Sequence, residues 1–339
     1  MLSNILEYTL FEFEDEIMRI GEKKFRAKQI YGWVLKGVDN FGEMKNLPKG
    51  LVEKLNEHFT IELPKAIEVQ VAKLDGTRKY LLELSDGNCI EAVFMKYKYG
   101  NTICVSSQAG CKMGCKFCAS TLNGLTRNLT QGEIVGQIIA AEKESGEKIN
   151  HVVVMGIGEP FDNYENLYNF LTLVNDKDGL NIGMRNITVS TCGIIPMIYK
   201  FANDFPQVNL AISLHASSDA VRREIMPIND KYPIKELLIA CERYVNKTHR
   251  RITFEYTLVD GKNDRIEDAK ALAKLLDGLL CHVNLIPLNP VLETGLKKSR
   301  RDNTNAFLRE LEKRGIQTTV RRELGNEIDA ACGQLRLKK

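Results

Sequence analysis

The sequence predicts an α/β protein whose larger part is a partial (β/α)6 barrel, preceded by a small N-terminal accessory domain of helices and strands. Three observations lead there. From about residue 100 onward, β-branched runs alternate with amphipathic helical stretches, the pattern of βαβ units around a parallel sheet. Before that point the texture differs, with amphipathic helices followed by strands that fold back at a turn. The residues able to do chemistry fall at the ends of the barrel strands, where such folds collect their active sites.

In order along the chain, helices are expected at 11–20, 25–35 and 51–59, with Pro48-Lys49-Gly50 as punctuation before the third. A strand follows at 66–72. Another at 80–84 turns through Ser85-Asp86-Gly87-Asn88 into 90–94. Barrel strands are expected at 103–107, 151–156, 186–191, 208–214, 252–258 and 282–287. The helices between and after them are expected at 130–145, 164–175, 194–204, 233–246, 264–278 and 303–314, and 316–321 reads as one extra strand. The domains are therefore 1–96, accessory; 97–324, core; and 325–339, a tail.

A chain of 339 residues with 44% hydrophobic content can bury a sizeable core. It lacks the apolar run of about 18 residues that a membrane span needs. The first residues are acidic and carry no basic region followed by a small-residue cleavage site, so they do not read as a signal peptide, and a cytoplasmic protein is expected. The net charge of +3 does not establish a nucleic-acid partner. Local basic runs at 297–301, 249–251 and 321–322, together with Lys96 and Lys98, could neutralise phosphates, although a solvated basic face is their ordinary meaning. Nine cysteines, unevenly spaced, suit metal or redox chemistry better than a disulfide framework.

Cys111, Cys115 and Cys118 form a C-x-x-x-C-x-x-C run directly after the first barrel strand. Zinc sites usually take about four protein ligands, commonly from two C-x-x-C pairs, and no second pair exists here. Three close thiolates instead leave one iron of a 4Fe-4S cluster open to a small molecule. Radical SAM enzymes use this arrangement, with S-adenosylmethionine (SAM) on the open iron, and the aromatic Phe117 before the third cysteine is part of the same pattern. Cys104 lies upstream on the strand, beneath the loop, and could complete a four-cysteine site instead. Gly156, Gly158 and Glu159-Pro160 follow the second strand and resemble the GEP element of radical SAM enzymes, whose backbone meets the SAM amino group. Ser190, Ser213, Leu214 and His215 stand at the next two strand ends, and Asn289 follows the sixth, where each could contact the same cofactor. Cys89, Cys192, Cys241 and Cys281 read as small apolar core residues.

With CKMGCKFC at 111–118, MGIGEP at 155–160, SLH at 213–215 and IDAACGQL at 328–335, the chain closely resembles the RlmN/Cfr family of radical SAM adenosine methyltransferases over nearly its full length. The resemblance implies a barrel of the radical SAM type, SAM and a 4Fe-4S cluster as cofactors, and an accessory domain that grips RNA. It implies that Cys332 takes a methyl group from one SAM, and that a second SAM is cleaved to activate that methyl for attack on adenine. Cys104 would then take the ring proton and release the product as a Cys104–Cys332 disulfide. Glu91 matches a glutamate proposed as proton acceptor, with a solvent-facing strand carboxylate as the alternative. The implied partners are 23S rRNA, tRNA at the adenosine next to the anticodon, and a reductant such as flavodoxin or ferredoxin. No membrane is expected, and the chain is expected to be a monomer. Methylation at adenine C2, the RlmN outcome, is favoured by Pro160; Cfr-type enzymes, which act at C8 and confer antibiotic resistance, tend to carry alanine there. A non-catalytic, zinc-stabilised RNA-binding protein is the rival from another class. Purified without oxygen, the protein should be brown with about four irons per chain; a colourless protein with stoichiometric zinc would reject the cluster.

Overall fold

The computed structural model describes residues 2–289, 291–322, 324–328 and 333–335. Three helices open the chain: α1 Leu10–Arg19, α2 Phe25–Val34 and α3 Lys49–His58. Helix α1 begins at a capping box in which the Thr9 hydroxyl accepts from the Glu12 amide and the Glu12 carboxylate accepts from the Thr9 amide. Leu10, Phe13 and Ile17, on one face of α1, are buried with Ala27, Ile30, Tyr31 and Val34 of α2.

The strands β1 Lys65–Val71, β2 Arg78–Glu83, β3 Cys89–Tyr97 and β4 Gly100–Val105 form an antiparallel meander. From β4 the sheet becomes parallel and continues through β5 His151–Val154, β6 Ile187–Thr191, β7 Asn209–Ser213, β8 Ile252–Leu258, β9 Cys281–Pro287 and β10 Thr318–Val320. One ten-stranded sheet results, with its strands in sequential order from β1 to β10. The accessory strands thus extend the barrel sheet itself. Helices α4 Gln131–Ser145, α5 Tyr164–Asn175, α6 Ile195–Asp204, α7 Asp219–Ile225, α8 Ile234–Thr248, α9 Ile266–Leu275 and α10 Arg301–Lys313 follow the parallel strands. The strand order is linear rather than closed, so the barrel is partial as expected. Helix α7 and a small hairpin pairing Gln108–Gly110 with Leu125–Asn128 were not visible in the sequence, because segments this short carry too little periodicity.

Two glycines of α4 seat the segments around Leu6 and Pro64 on the barrel. A Cβ on Gly132 would meet the Leu6 side chain at 2.9 Å, and one on Gly136 would meet Pro64 Cδ at 2.3 Å. Nearby, the Thr130 hydroxyl donates to Glu7 at 2.6 Å and the Gln131 amide donates to the Leu6 carbonyl at 3.2 Å. Among the described residues no helix is long and apolar enough to cross a membrane.

Alanine is favoured over glycine inside a helix by about 1 kcal/mol, whereas overpacking costs about 1–3 kcal/mol. A methyl group added at Gly32 in α2 would have nothing within 4 Å, whereas one at Gly136 would run into the rigid Pro64 ring. Urea denaturation should therefore show Gly32→Ala neutral to stabilising and Gly136→Ala destabilising, with little change in slope for either.

Candidate active site

The C-terminal ends of the parallel strands surround a cavity of about 150 Å³. Cys111, Cys115 and Cys118 line it together, on the long loop that joins the two strands of the small hairpin. That loop is shaped by its own bonds: the Cys111 amide donates to the Gly124 carbonyl at 2.9 Å, and the Thr121 hydroxyl reaches the Cys115 and Cys118 carbonyls at 3.2 and 3.0 Å. Around Cys115 pack Met113, Phe117, Ile225 and Met226. Burial pushes the Cys111 thiol up to about 12 and the Cys115 thiol well above its usual range. Thiols this desolvated ionise only when a cation replaces the lost water, which is the chemistry of a metal ligand.

Among the described residues no three His, Cys, Asp or Glu side chains converge as one metal ion requires. Three cysteines that face a common cavity without converging suit a cubane, whose separate irons take one thiolate each. The residues present fit a 4Fe-4S cluster with one iron left for a further ligand.

Of the other expected residues, Gly158, Glu159, Ser190, Ser213, His215 and Asn289 all line the same cavity. Leu214 does not: its side chain is fully buried in the main core, because consecutive residues at a strand end point to opposite faces. The glycines serve a nearer purpose than ligand approach. A Cβ on Gly156 would meet Ser106 Oγ at 2.7 Å, and one on Gly158, whose φ is +107°, would meet Gln108 Cβ at 2.6 Å. Glu159 is buried, and its carboxylate accepts from the Phe161 amide at 3.0 Å and the Cys192 amide at 2.7 Å. It therefore braces two loops rather than reaching freely for a ligand. Desolvation raises its pKa, and those amide bonds oppose the rise.

His215 sits at φ 55°, a left-handed conformation that costs a non-glycine residue and needs support. Asn263 supplies it. Its amide donates to the His215 and Thr257 carbonyls at 2.7 Å each, and its oxygen accepts from the Val259 amide at 2.8 Å. The Thr257 amide donates to His215 Nδ1 at 2.9 Å, so the ring proton resides on Nε2. Phe117 meets the imidazole edge-on, with ring centroids 4.7 Å apart.

Cys104 and Glu91 lie apart from the cavity wall. Cys104 is opposite Val93 in the β3–β4 ladder, within an apolar patch that also holds Met95, Ile157, Leu324 and Leu335. Glu91 is 0% exposed, which overturns its reading as a solvent-facing carboxylate; strand β3 is covered on both faces. Lys79 Nζ stands 3.1 Å from its Oε1. Cys332 lies outside the described residues, as does its pairing with Cys104. Its neighbour Gly333 lines the cavity and accepts a bond from the Ala119 amide at 2.7 Å, while Ser120 Oγ donates to the Leu335 carbonyl at 2.7 Å.

Sequence reasoning missed several residues here. Arg222, fully buried behind the strand ends, looked no different from its exposed neighbour Arg223; only helical phase separates them. Glu255 and Thr257 line the cavity from β8, and Cys192 is a cavity wall as well as a buried thiol. The basic runs divide by location. Residues 249–251 precede β8 and Lys96 and Lys98 adjoin the β3–β4 turn, so both lie at the barrel end opposite the cavity. Lys96 is also paired with Glu147. By contrast, Arg321 lines the cavity, and Lys298 bridges to Val259 just beyond the C-terminal end of β8.

Residues 105–276 match the Radical SAM superfamily, and residues 3–61 match the ribosomal RNA large subunit methyltransferase N-terminal domain. The chain is 56% identical, over 99% of its length and 96% of the relative's, to a probable dual-specificity RNA methyltransferase RlmN of Clostridium botulinum. It is equally 56% identical to the protein of that description from Clostridium perfringens, over 99% of this chain and 97% of the relative. Its fold is similar to a crystal structure of a radical SAM methyltransferase from Sphaerobacter thermophilus, with TM-score 0.94 and 44% identity, covering 98% of this chain and 99% of that one.

Burial, with the charge of Arg222 adding to it, holds the His215 pKa at about 3, below its ordinary 6.5. The unfolded chain gains a proton near pH 6.5 that the folded chain refuses until about pH 3. Its contribution to stability is thus complete above pH 6.5 and declines as the pH falls toward 3. Nitrogen NMR at pH 6 should find a neutral ring protonated at Nε2; an imidazolium signal would contradict the site as described.

Proposed function

The chain belongs to the RlmN family of radical SAM RNA methyltransferases, and we propose that it methylates C2 of adenosine in 23S rRNA and in tRNA, next to the anticodon, through an S-methylcysteine on Cys332. The observation that carries this reading is the meeting of three cysteines, the strand-end polar groups and Gly333 of the tail around one cavity. When bound, the cluster supplies the electron that cleaves SAM.

Everything else falls to the chain. Cys111, Cys115 and Cys118 would hold the cluster through their thiolates and leave room beside it for the amino and carboxylate groups of SAM. Ser190, Ser213 and Asn289 offer hydroxyl and amide groups suited to its ribose and adenine, and they line the cavity. His215 acts as a neutral donor through Nε2–H, since its Nδ1 already accepts from Thr257. Adenine C2 is electrophilic, so a methyl cation equivalent cannot be delivered to it directly. Cys332 Sγ therefore first accepts the methyl as a thiolate nucleophile. Cleavage of a second SAM takes one hydrogen from the S-methyl group, and the methyl carbon then bonds to C2, joining Cys332 Sγ to the base. Cys104 takes the ring proton as the adduct gives one electron back to the cluster. Its thiolate then attacks Cys332 Sγ, the Sγ–C bond breaks, the carbon takes up a proton as the new methyl group, and a Cys104–Cys332 disulfide remains. Placement of Cys104 in one patch with Leu335 of the tail supports this pairing.

The target base must leave its stack to reach the cavity. Arg321 and the 297–301 run, at the cavity end of the barrel, are suited to the flanking phosphates, with the N-terminal helices as a second grip. The relatives matched over the whole length are described as RlmN, which favours C2 over the Cfr-type C8 outcome.

Mass spectrometry of nucleosides from treated 23S rRNA and tRNA should find 2-methyladenosine; 8-methyladenosine alone would sink the regiochemistry. Cys332→Ala should still cleave SAM while transferring no methyl, and Cys104→Ala should accumulate a protein–RNA adduct on denaturing gels. Full product formation by either variant would remove that cysteine from the reaction.

A further inference from the structure

We propose that Arg222 is the fixed counter-charge of the three-cysteine site, a positioning residue that sets how readily the cluster held there takes up an electron. This rests on the reading of Cys111, Cys115 and Cys118 as cluster ligands.

Arg222, on α7, is 0% exposed. Its Nε donates to the Leu214 carbonyl at 3.1 Å. Its Nη1 donates to Asn229 Oδ1 and the Tyr232 carbonyl, each at 3.2 Å, and its Nη2 to the Cys192 and Ser213 carbonyls at 2.7 and 3.2 Å. A guanidinium has five N–H groups, and these bonds use all of them. No donor is left to bind a ligand. None of the five acceptors carries a charge, so the guanidinium is satisfied in hydrogen bonds but not neutralised by its direct partners.

A buried cation without a counter-ion is costly. The groups whose negative charge would bear on it are Cys192 and Cys115, when ionised, and Asp219 at the start of the same helix. The Lys116 amide, next to Cys115, donates to the Ile225 carbonyl at the end of α7 at 2.9 Å, tying the cysteine loop to the helix that bears Arg222. Ile225, at the end of α7, and Met226 pack with Cys115 and Cys192 in one apolar cluster, and Arg222 Nη2 is bonded to the Cys192 carbonyl, so the guanidinium lies behind the wall that carries the cysteines. Reduction adds one electron, from the one-electron donor, and no proton to a thiolate-bound cluster. A positive charge fixed close by, in low dielectric, favours the more negative state. Arg222 therefore acts through space, by raising the reduction potential.

The test is a redox titration of anaerobically reconstituted protein, followed by electron paramagnetic resonance of the reduced cluster. Asn229→Asp is the informative variant, because it keeps an oxygen at the Nη1 bond while placing a negative charge against the guanidinium. At a fixed ambient potential its ratio of reduced to oxidised cluster should fall about tenfold, about 59 mV for one electron. Arg222→Met should move the same way, whereas Arg222→Lys, which keeps the charge, should stay nearer the wild type. Should Arg222→Met fail to fold, Asn229→Asp and Arg222→Lys decide alone. An unchanged potential in Asn229→Asp at wild-type iron content would overturn the inference. A wild-type protein that holds no cluster would instead overturn the reading beneath it.

Discussion

A parallel strand that ends inside a protein leaves its last carbonyl, and the first amides of the following loop, without ladder partners. Around this cavity several such ends meet, and each unpaired group buried there would cost about 1–3 kcal/mol. Two ionisable side chains absorb them. Glu159 accepts the amides of Phe161 and Cys192, while Arg222 donates to the carbonyls of Cys192, Ser213 and Leu214. Cys192 is thus held from both sides, by a carboxylate at its amide and a guanidinium at its carbonyl. The positions of Ser190, Ser213 and His215 all depend on that clamp, because they lie on the strand ends it joins.

The sheet that delivers these ends separates its two faces by polarity rather than by exposure. Along β8, Phe254, Tyr256 and Leu258 face the helices, whereas Glu255 and Thr257 face the cavity, and all five are buried. The polar interior is what lets a barrel wall become a binding surface. It also makes the pKa of each buried group answer to its immediate partners, with burial opposing charge on Glu159, Glu255 and His215 alike.

That inversion explains what could be read from the sequence and what could not. The barrel was legible because its outward faces carry strong apolar patterns, such as Ile187 and Val189 on β6 or Val283 and Leu285 on β9. The cysteine triplet and the strand-end residues were legible through spacing and position. Glu91 misleads because a polar residue in alternation normally means solvent, and here the alternating face turns inward. Leu214 belongs to the right motif but to the wrong face of its strand. Arg222 and Asn263 were invisible, since their importance lies in which distant carbonyls they reach, and no local pattern encodes that. Gly156 and Gly158 suggest ligand approach, yet their missing side chains make room first for Ser106 and Gln108.

Helix α4 carries Gly132 and Gly136 against the N-terminal segment, and on its adjoining face Gln137 grips Ser106 by both backbone groups, accepting from its amide at 2.8 Å and donating to its carbonyl at 2.9 Å. The Ser106 hydroxyl in turn bonds the Glu91 carbonyl and the Ile157 amide. One helix therefore touches the segments around Leu6 and Pro64 on one side and, through Ser106, the loop before Gly158 on the other. The seat of the N-terminal segment and the loop that carries Gly156 and Gly158 are, in this architecture, fastened to two faces of one helix.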